Sequence, residues 1–151
     1  MVNVGFGSCR KQTRESRALN ALVRNHKLDA FVWTGDAIYP RSHADEQQLN
    51  QAYDDATTQT DMLNAAVPVV DGVYDDHDYG LNDGGKHHAN KQLARRLFLD
   101  RVVQAPSDSP RRTHAGGIYA SRTFGAHPHQ LKLVMLAARF SRDDHAVPSP
   151  G

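Results

Sequence analysis

The run Leu28-Asp29-Ala30-Phe31-Val32-Trp33-Thr34 limits the fold more than any other stretch. It is nearly continuous in apolar character, as a parallel strand covered on both faces must be, and it stops abruptly at Gly35-Asp36. Parallel neighbours need crossover connections, and the chain offers one on each side. Val2-Asn3-Val4-Gly5-Phe6 alternates as a first strand and ends in Gly7-Ser8-Cys9-Arg10. After Thr13-Arg14-Glu15-Ser16, the spacing of Leu19, Leu22 and Val23 predicts a helix to about His26. Asp45 to Ala66 reads as one helix with room for a break near Thr57-Thr58, and Ala66 to Gly72 as a third strand. The pattern is that of an α/β sheet, in which ligands gather beyond the carboxyl ends of the strands. Cys9, Asp36 and the group from Asp75 to Asp78 would share that rim.

Gly84-Gly85 marks a loop, and His88 to Val103 has helical spacing, with Leu93, Leu97, Phe98 and Val102 inward and Arg95-Arg96 toward water. Pro106 to Pro110 ends it. Gly117–Gly125 and Gln130–Leu136 read as an antiparallel hairpin around Ala126-His127-Pro128-His129. Residues 1–143 form the expected domain, and 144–151 a polar, Pro-rich tail.

A chain of 151 residues suits one domain with its own core. Eighteen basic against seventeen acidic side chains leave a net charge of +1, which argues against nucleic acid as a partner. Cys9 is the single cysteine, so packing or metal must hold the fold without an internal disulfide. No apolar run approaches the length of a membrane span, and Met1 to Gly7 lacks the pattern of a signal peptide. The expectation is a cytoplasmic protein without membrane contact.

Val73 to Asp83 gathers four carboxylates, one imidazole and one carboxamide into eleven residues. Like charges at the spacing of Asp75, Asp76 and Asp78 repel unless a cation neutralises them. A metal-binding hydrolytic loop is one reading, and an acidic surface turn with Gly80 at positive φ is the other. Within the loop, Asp76 can face a cation while His77 meets substrate, although His77 can also be an exposed loop imidazole. Cys9 can be a small buried hydrophobe, a thiolate ligand or a nucleophile. Asp36 reads as a turn or N-cap residue or as a ligand, and Tyr39 as a packing ring or a phenolate ligand. His87-His88 and His127-Pro128-His129 are weaker chelating pairs. Arg111-Arg112, Arg139 and Arg142 have the guanidinium geometry that neutralises phosphate oxygens.

Phe6-Gly7-Ser8-Cys9-Arg10, Trp33-Thr34-Gly35-Asp36-Ala37-Ile38-Tyr39 and Tyr74 to Asp83 together resemble the alkaline phosphatase D-like (PhoD-like) metallophosphatases, in that order. Gly117-Ile118-Tyr119 and Leu133 to Asp143 continue the likeness, which covers nearly all of residues 1–143. The resemblance implies an α/β fold, the N-terminal half of a four-layer α/β/β/α sandwich with a mixed sheet flanked by helices. It implies a phosphoesterase of the alkaline phosphatase or phosphodiesterase type, acting on a phosphate ester. By that similarity Cys9, Asp36 and Tyr39 would ligate ferric iron, Asp36 would bridge to a second divalent metal such as calcium, and Asp76 would hold that second ion. His77 would contact or protonate the phosphoester, and Arg139 would bind substrate.

Two departures stand out. Leu136-Ala137-Ala138-Arg139 replaces a Leu-Asp-Thr-Arg pattern of the family, removing a carboxylate. Family members also draw further acidic and histidine ligands from a second half, so the metal site is expected to be incomplete here. The alternative expectation is therefore an inactive relative, serving as a metal-binding or interaction module and self-associating through an exposed sheet face.

Overall fold

The computed structural model describes residues 1–41 and 44–143, so the expected tail at 144–151 lies outside the described residues. Three parallel strands, β1 (Val4–Gly7), β2 (Ala30–Trp33) and β3 (Val70–Gly72), form one sheet in the order β1-β2-β3. The crossovers are helix α1 (Arg17–Asn25) and helix α2 (Glu46–Ala66). A single-turn helix α3 (Asp76–Tyr79) follows β3, then α4 (Lys91–Leu97), which runs into a π-helical turn at Phe98–Val102. Strands β4 (Ala120–Phe124) and β5 (Leu131–Met135) pair antiparallel in a sheet of their own. The fold is thus mixed α/β, with its parallel and antiparallel strands in two sheets among the described residues.

Every residue of β2 is buried, as its apolar run predicts for a central strand. The register sets Gly5, Phe31 and Val70 on one face and Phe6, Val32 and Asp71 on the other. On the first face Phe31 and Trp33 join Leu19 of α1, Leu49, Tyr53 and Leu63 of α2, and Phe98 and Val102 in the core. Fully burying aromatic side chains such as Phe31 and Trp33 contributes about 2–3 kcal/mol each. Across the sheet, Asp71 meets Arg111 and the β4 residue Arg122.

The third strand is shorter than the apolar run suggests, because α2 continues to Ala66 and caps at Val67. That helix is also unbroken at Thr57-Thr58. Thr57 Oγ1 donates to the Tyr53 carbonyl at 3.3 Å and Thr60 Oγ1 to the Ala56 carbonyl at 3.2 Å, so the hydroxyls are satisfied inside the helix. Its start is sealed by a capping box of Asp45 and Gln48. Arg95 does not face water: it is buried, donating to the Arg112 and His114 carbonyls and lying 4.2 Å over the Phe140 ring. Among the described residues no helix is long and apolar enough to cross a membrane.

Candidate metal centre

The loops after β1 and β2 are knitted together by backbone hydrogen bonds. Cys9 N–H donates to the Gly35 carbonyl at 3.3 Å and Arg10 N–H to the Asp36 carbonyl at 2.8 Å. Both Cys9 (φ 54°) and Asp36 (φ 55°) are left-handed, a conformation costing a non-glycine residue about 1–2 kcal/mol. Two such residues, side by side at the strand ends, are strain of the kind that clusters at functional sites. Gly35 (φ 113°) allows the passage of β2 past α3, since a Cβ there would lie 2.5 Å from the Asp75 Cβ.

The acidic stretch resolves into a turn of helix that sends its side chains in different directions. Asp78 is fully buried, and its carboxylate accepts from the N–H groups of Asp36 (2.6 Å), Asp75 (3.0 Å) and Ile38 (3.1 Å). Burial pushes its pKa up to about 7, helped by the charge of Asp36 and opposed by the backbone donors. Asp75 instead meets the Arg139 guanidinium, which also reaches Asp83 at 3.5 Å. Asp76 and His77 face the rim. Gly80, left-handed at φ 88°, ends the turn.

Ligand atoms of Asp36, Asp76 and His77 lie within 4.8 Å of one another. Donors around one cation at 2.0–2.5 Å are at most about 5 Å apart, so this trio fits a single ion. Asp36 divides its oxygens. Oδ2 accepts from the Tyr39 hydroxyl at 2.9 Å and lies 3.9 Å from Cys9 Sγ, while Oδ1 faces the His77 N–H at 3.4 Å. The Tyr39 and His77 rings are 4.1 Å apart, tilted by 32°. The structure therefore brings Cys9, Asp36, Tyr39, Asp76 and His77 to one place, with carboxylate, imidazole and phenol donors suited to hard or borderline cations.

Electrostatics differ across the site. Burial raises the Asp36 carboxyl above its ordinary range, with Asp75 and Asp76 adding to it and Tyr39 and His77 opposing. Burial also acts to raise Asp76, but the Asp83 N–H, Arg139 and His77 outweigh it and hold that carboxyl low. Burial and the neighbouring Cys9 and Asp36 hold the Tyr39 phenol above its usual range. Ligation as phenolate therefore requires a cation to displace that proton.

Other sequence candidates lie elsewhere. Arg139 bonds Asp75 through Nε and approaches Asp83 through Nη1, and its charge helps hold the Asp76 carboxyl low. Arg111 is buried on Asp71, Gly72 and Ile118, and Arg112 bonds Asp100 and the carbonyls of Ala105 and Pro106, so neither guanidinium is available for phosphate. Arg142 bonds the Asp83 carbonyl. His88 packs 5.1 Å from the Tyr79 ring, and His127 and His129 lie exposed in the β4–β5 turn. Gln12 escaped the sequence reading: its carboxamide accepts from the Tyr39 N–H at 2.8 Å and donates to the Tyr39 carbonyl at 3.1 Å. A lone glutamine in a loop carries no signal for such a clamp. Asp78 carried one, its place in the acidic run, but not its direction.

No protein-family model, curated protein or solved structure matches this chain.

Proposed function

We propose that the chain is a metal-dependent phosphoesterase, hydrolysing a phosphate monoester or diester at the rim formed by Cys9, Asp36, Tyr39, Asp76 and His77. The observation that carries this reading is the convergence of ligand atoms of Asp36, Asp76 and His77 within 4.8 Å, with the Tyr39 hydroxyl and Cys9 Sγ at Asp36 Oδ2. By the resemblance, Asp36 would bridge two cations. Cys9 and Tyr39 would complete a ferric site and Asp76 a second site, for calcium or another divalent ion. The resemblance to PhoD-like enzymes supports the same ligand set, and with it a four-layer α/β/β/α sandwich to which the parallel sheet and the hairpin would both contribute.

Cations held there would supply Lewis acidity toward a phosphoryl oxygen. His77 is the residue for proton transfer to the leaving oxygen, being the imidazole at the rim. Tyr39, stacked on it, restricts its ring, and Gln12 fixes the Tyr39 backbone. Asp78 holds the Asp36 backbone so that the bridging carboxylate need not reorganise.

A second reading, metal binding without turnover, is favoured by Ala137 and Ala138, which stand beyond β5 where the resemblance calls for a carboxylate. Metal analysis of the purified chain, beside release of nitrophenol from nitrophenyl phosphate esters, separates the two. Phosphoesterase function requires bound metal and metal-dependent release, both lost in Asp36→Asn. Bound metal without release leaves the binding module, and a metal-loaded chain showing neither property refutes both.

A further inference from the structure

A cleft of about 180 Å³ lies between the end of β1 and helix α1, with Phe31 and Trp33 of β2 in its wall, and none of the metal-centre residues lines it. Arg10 is also in that wall. It is 6% accessible and Trp33 2%, and the guanidinium carbon lies 5.4 Å from the Trp33 ring centroid. Each residue keeps one buried donor without a hydrogen-bond partner among the described residues, Nη2 of Arg10 and Nε1 of Trp33.

Arg10 is a buried cation held by neutral acceptors. Its Nε donates to the Ala37 carbonyl at 3.0 Å and its Nη1 to the Gln59 carboxamide at 2.7 Å, and no carboxylate forms an ion pair with it among the described residues. The carboxylate whose charge does reach it, Asp78, is taken up by three backbone N–H groups. Burial pushes the Arg10 pKa down to about 10, with Asp78 opposing. A guanidinium so deeply buried is ordinarily paired with an anion.

No carboxylate lines the cleft, and Leu19, Leu22 and Phe31 add apolar surface to it. Its volume is below the roughly 300 Å³ at which sites for drug-sized ligands begin, so the ligand is small. Two donors match the two oxygens of a carboxylate. A phosphate dianion carries more acceptor oxygen than they satisfy, and no apolar part to cover the leucines.

We propose that this cleft binds a small carboxylate with an apolar body, its head beside Arg10 and Trp33 and its body against Leu19, Leu22 and Phe31. The head supplies the counter-charge that Arg10 lacks, through hydrogen bonds of the stronger, charge-assisted kind. The proposal does not depend on metal at the neighbouring centre.

Trp33 is the single tryptophan of the chain, so its fluorescence reports on the cleft directly. Titrating the full chain with phenylacetate should give a saturable change in emission. The neutral phenylacetamide should bind about tenfold more weakly or worse, and Arg10→Gln should weaken phenylacetate binding by about the same factor. Circular dichroism establishes that the variants are folded. Ala18→Phe, at an exposed helix position on the lip of the cleft, should block binding, and it decides the matter where Arg10→Gln does not fold. The proposal is overturned by the absence of a saturable change, by equal affinity for the acid and the amide, or by unchanged affinity in folded Arg10→Gln or in Ala18→Phe. Tighter binding of inorganic phosphate than of phenylacetate would also overturn it.

Discussion

Asp78 holds Asp36 through a 2.6 Å hydrogen bond from the Asp36 backbone N–H to Asp78 Oδ2, across 42 positions of sequence. The same carboxylate takes the Ile38 and Asp75 N–H groups. One buried acid thus stabilises both the left-handed residue Asp36 and the turn that carries Asp76 and His77.

Asp78→Asn tests that arrangement. The amide keeps the volume but offers one acceptor oxygen where three N–H donors need acceptors, so at least one donor faces an NH2 group. Leaving a buried donor unsatisfied costs about 1–3 kcal/mol. Chemical denaturation of the metal-free protein should show a loss of that size, and the variant should bind metal more weakly. Unchanged stability would mean that the three N–H groups find acceptors elsewhere.

Tyr39→Phe removes the hydroxyl bonded to Asp36 at 2.9 Å and keeps the ring against His77. If Tyr39 ligates ferric iron, the iron-loaded protein should show a tyrosinate-to-iron absorption band in the visible that the variant lacks. Retention of the band in Tyr39→Phe would remove Tyr39 from the ligand set.

Much of this geometry could be read in the residues before the fold was seen, and the part that could not has physical reasons. The apolar run of β2, bounded by Gly35-Asp36, announces a central parallel strand, and the ends of β1 and β2 therefore bring Cys9 and Asp36 together. Asp75 to Asp78 is harder, because four residues of helix contain barely one period, and the direction of each carboxylate depends on distant backbone donors. A buried Asp78 runs against the hydrophobic pattern and is stable only where those donors converge. Arg95 misleads for a related reason: beside Arg96 it looks solvated, yet the carbonyls of Arg112 and His114 and the Phe140 ring receive it.

Arg111→Leu should be among the most destabilising single changes. Arg111 is buried against Asp71, donates to the Gly72 carbonyl, and bonds the Ile118 carbonyl at 2.9 Å. Its removal leaves Asp71, itself buried, to a half-exposed Arg122. Breaking a buried pair from one side costs about 3–5 kcal/mol, whereas replacing both charges costs less. Urea denaturation should therefore find Asp71→Leu/Arg111→Leu more stable than Arg111→Leu alone. The reverse order would show that the ion pair itself, more than the avoidance of an unpaired charge, stabilises this face.

His88 provides a pH dependence away from the metal centre. Burial against Tyr79 lowers its pKa below the ordinary value of about 6.5, against a pull from the Tyr79 backbone, and its Nε2 is buried without a partner. In the unfolded chain the imidazole takes up a proton as pH falls through about 6.5, while the folded protein resists until its lower pKa is reached. The unfolded state then binds more protons, so stability contributed by neutral His88 is present above pH 6.5 and is lost as pH falls toward the folded value. His88→Gln cannot titrate. The chain has nine histidines, so the measurement is the difference between wild-type and His88→Gln stabilities at each pH. That difference should shift against the wild type on going from pH 7.5 to pH 5.5. A difference independent of pH would mean that His88 is as free to protonate in the folded protein as in the unfolded chain, and that its place beside Tyr79 is open to water.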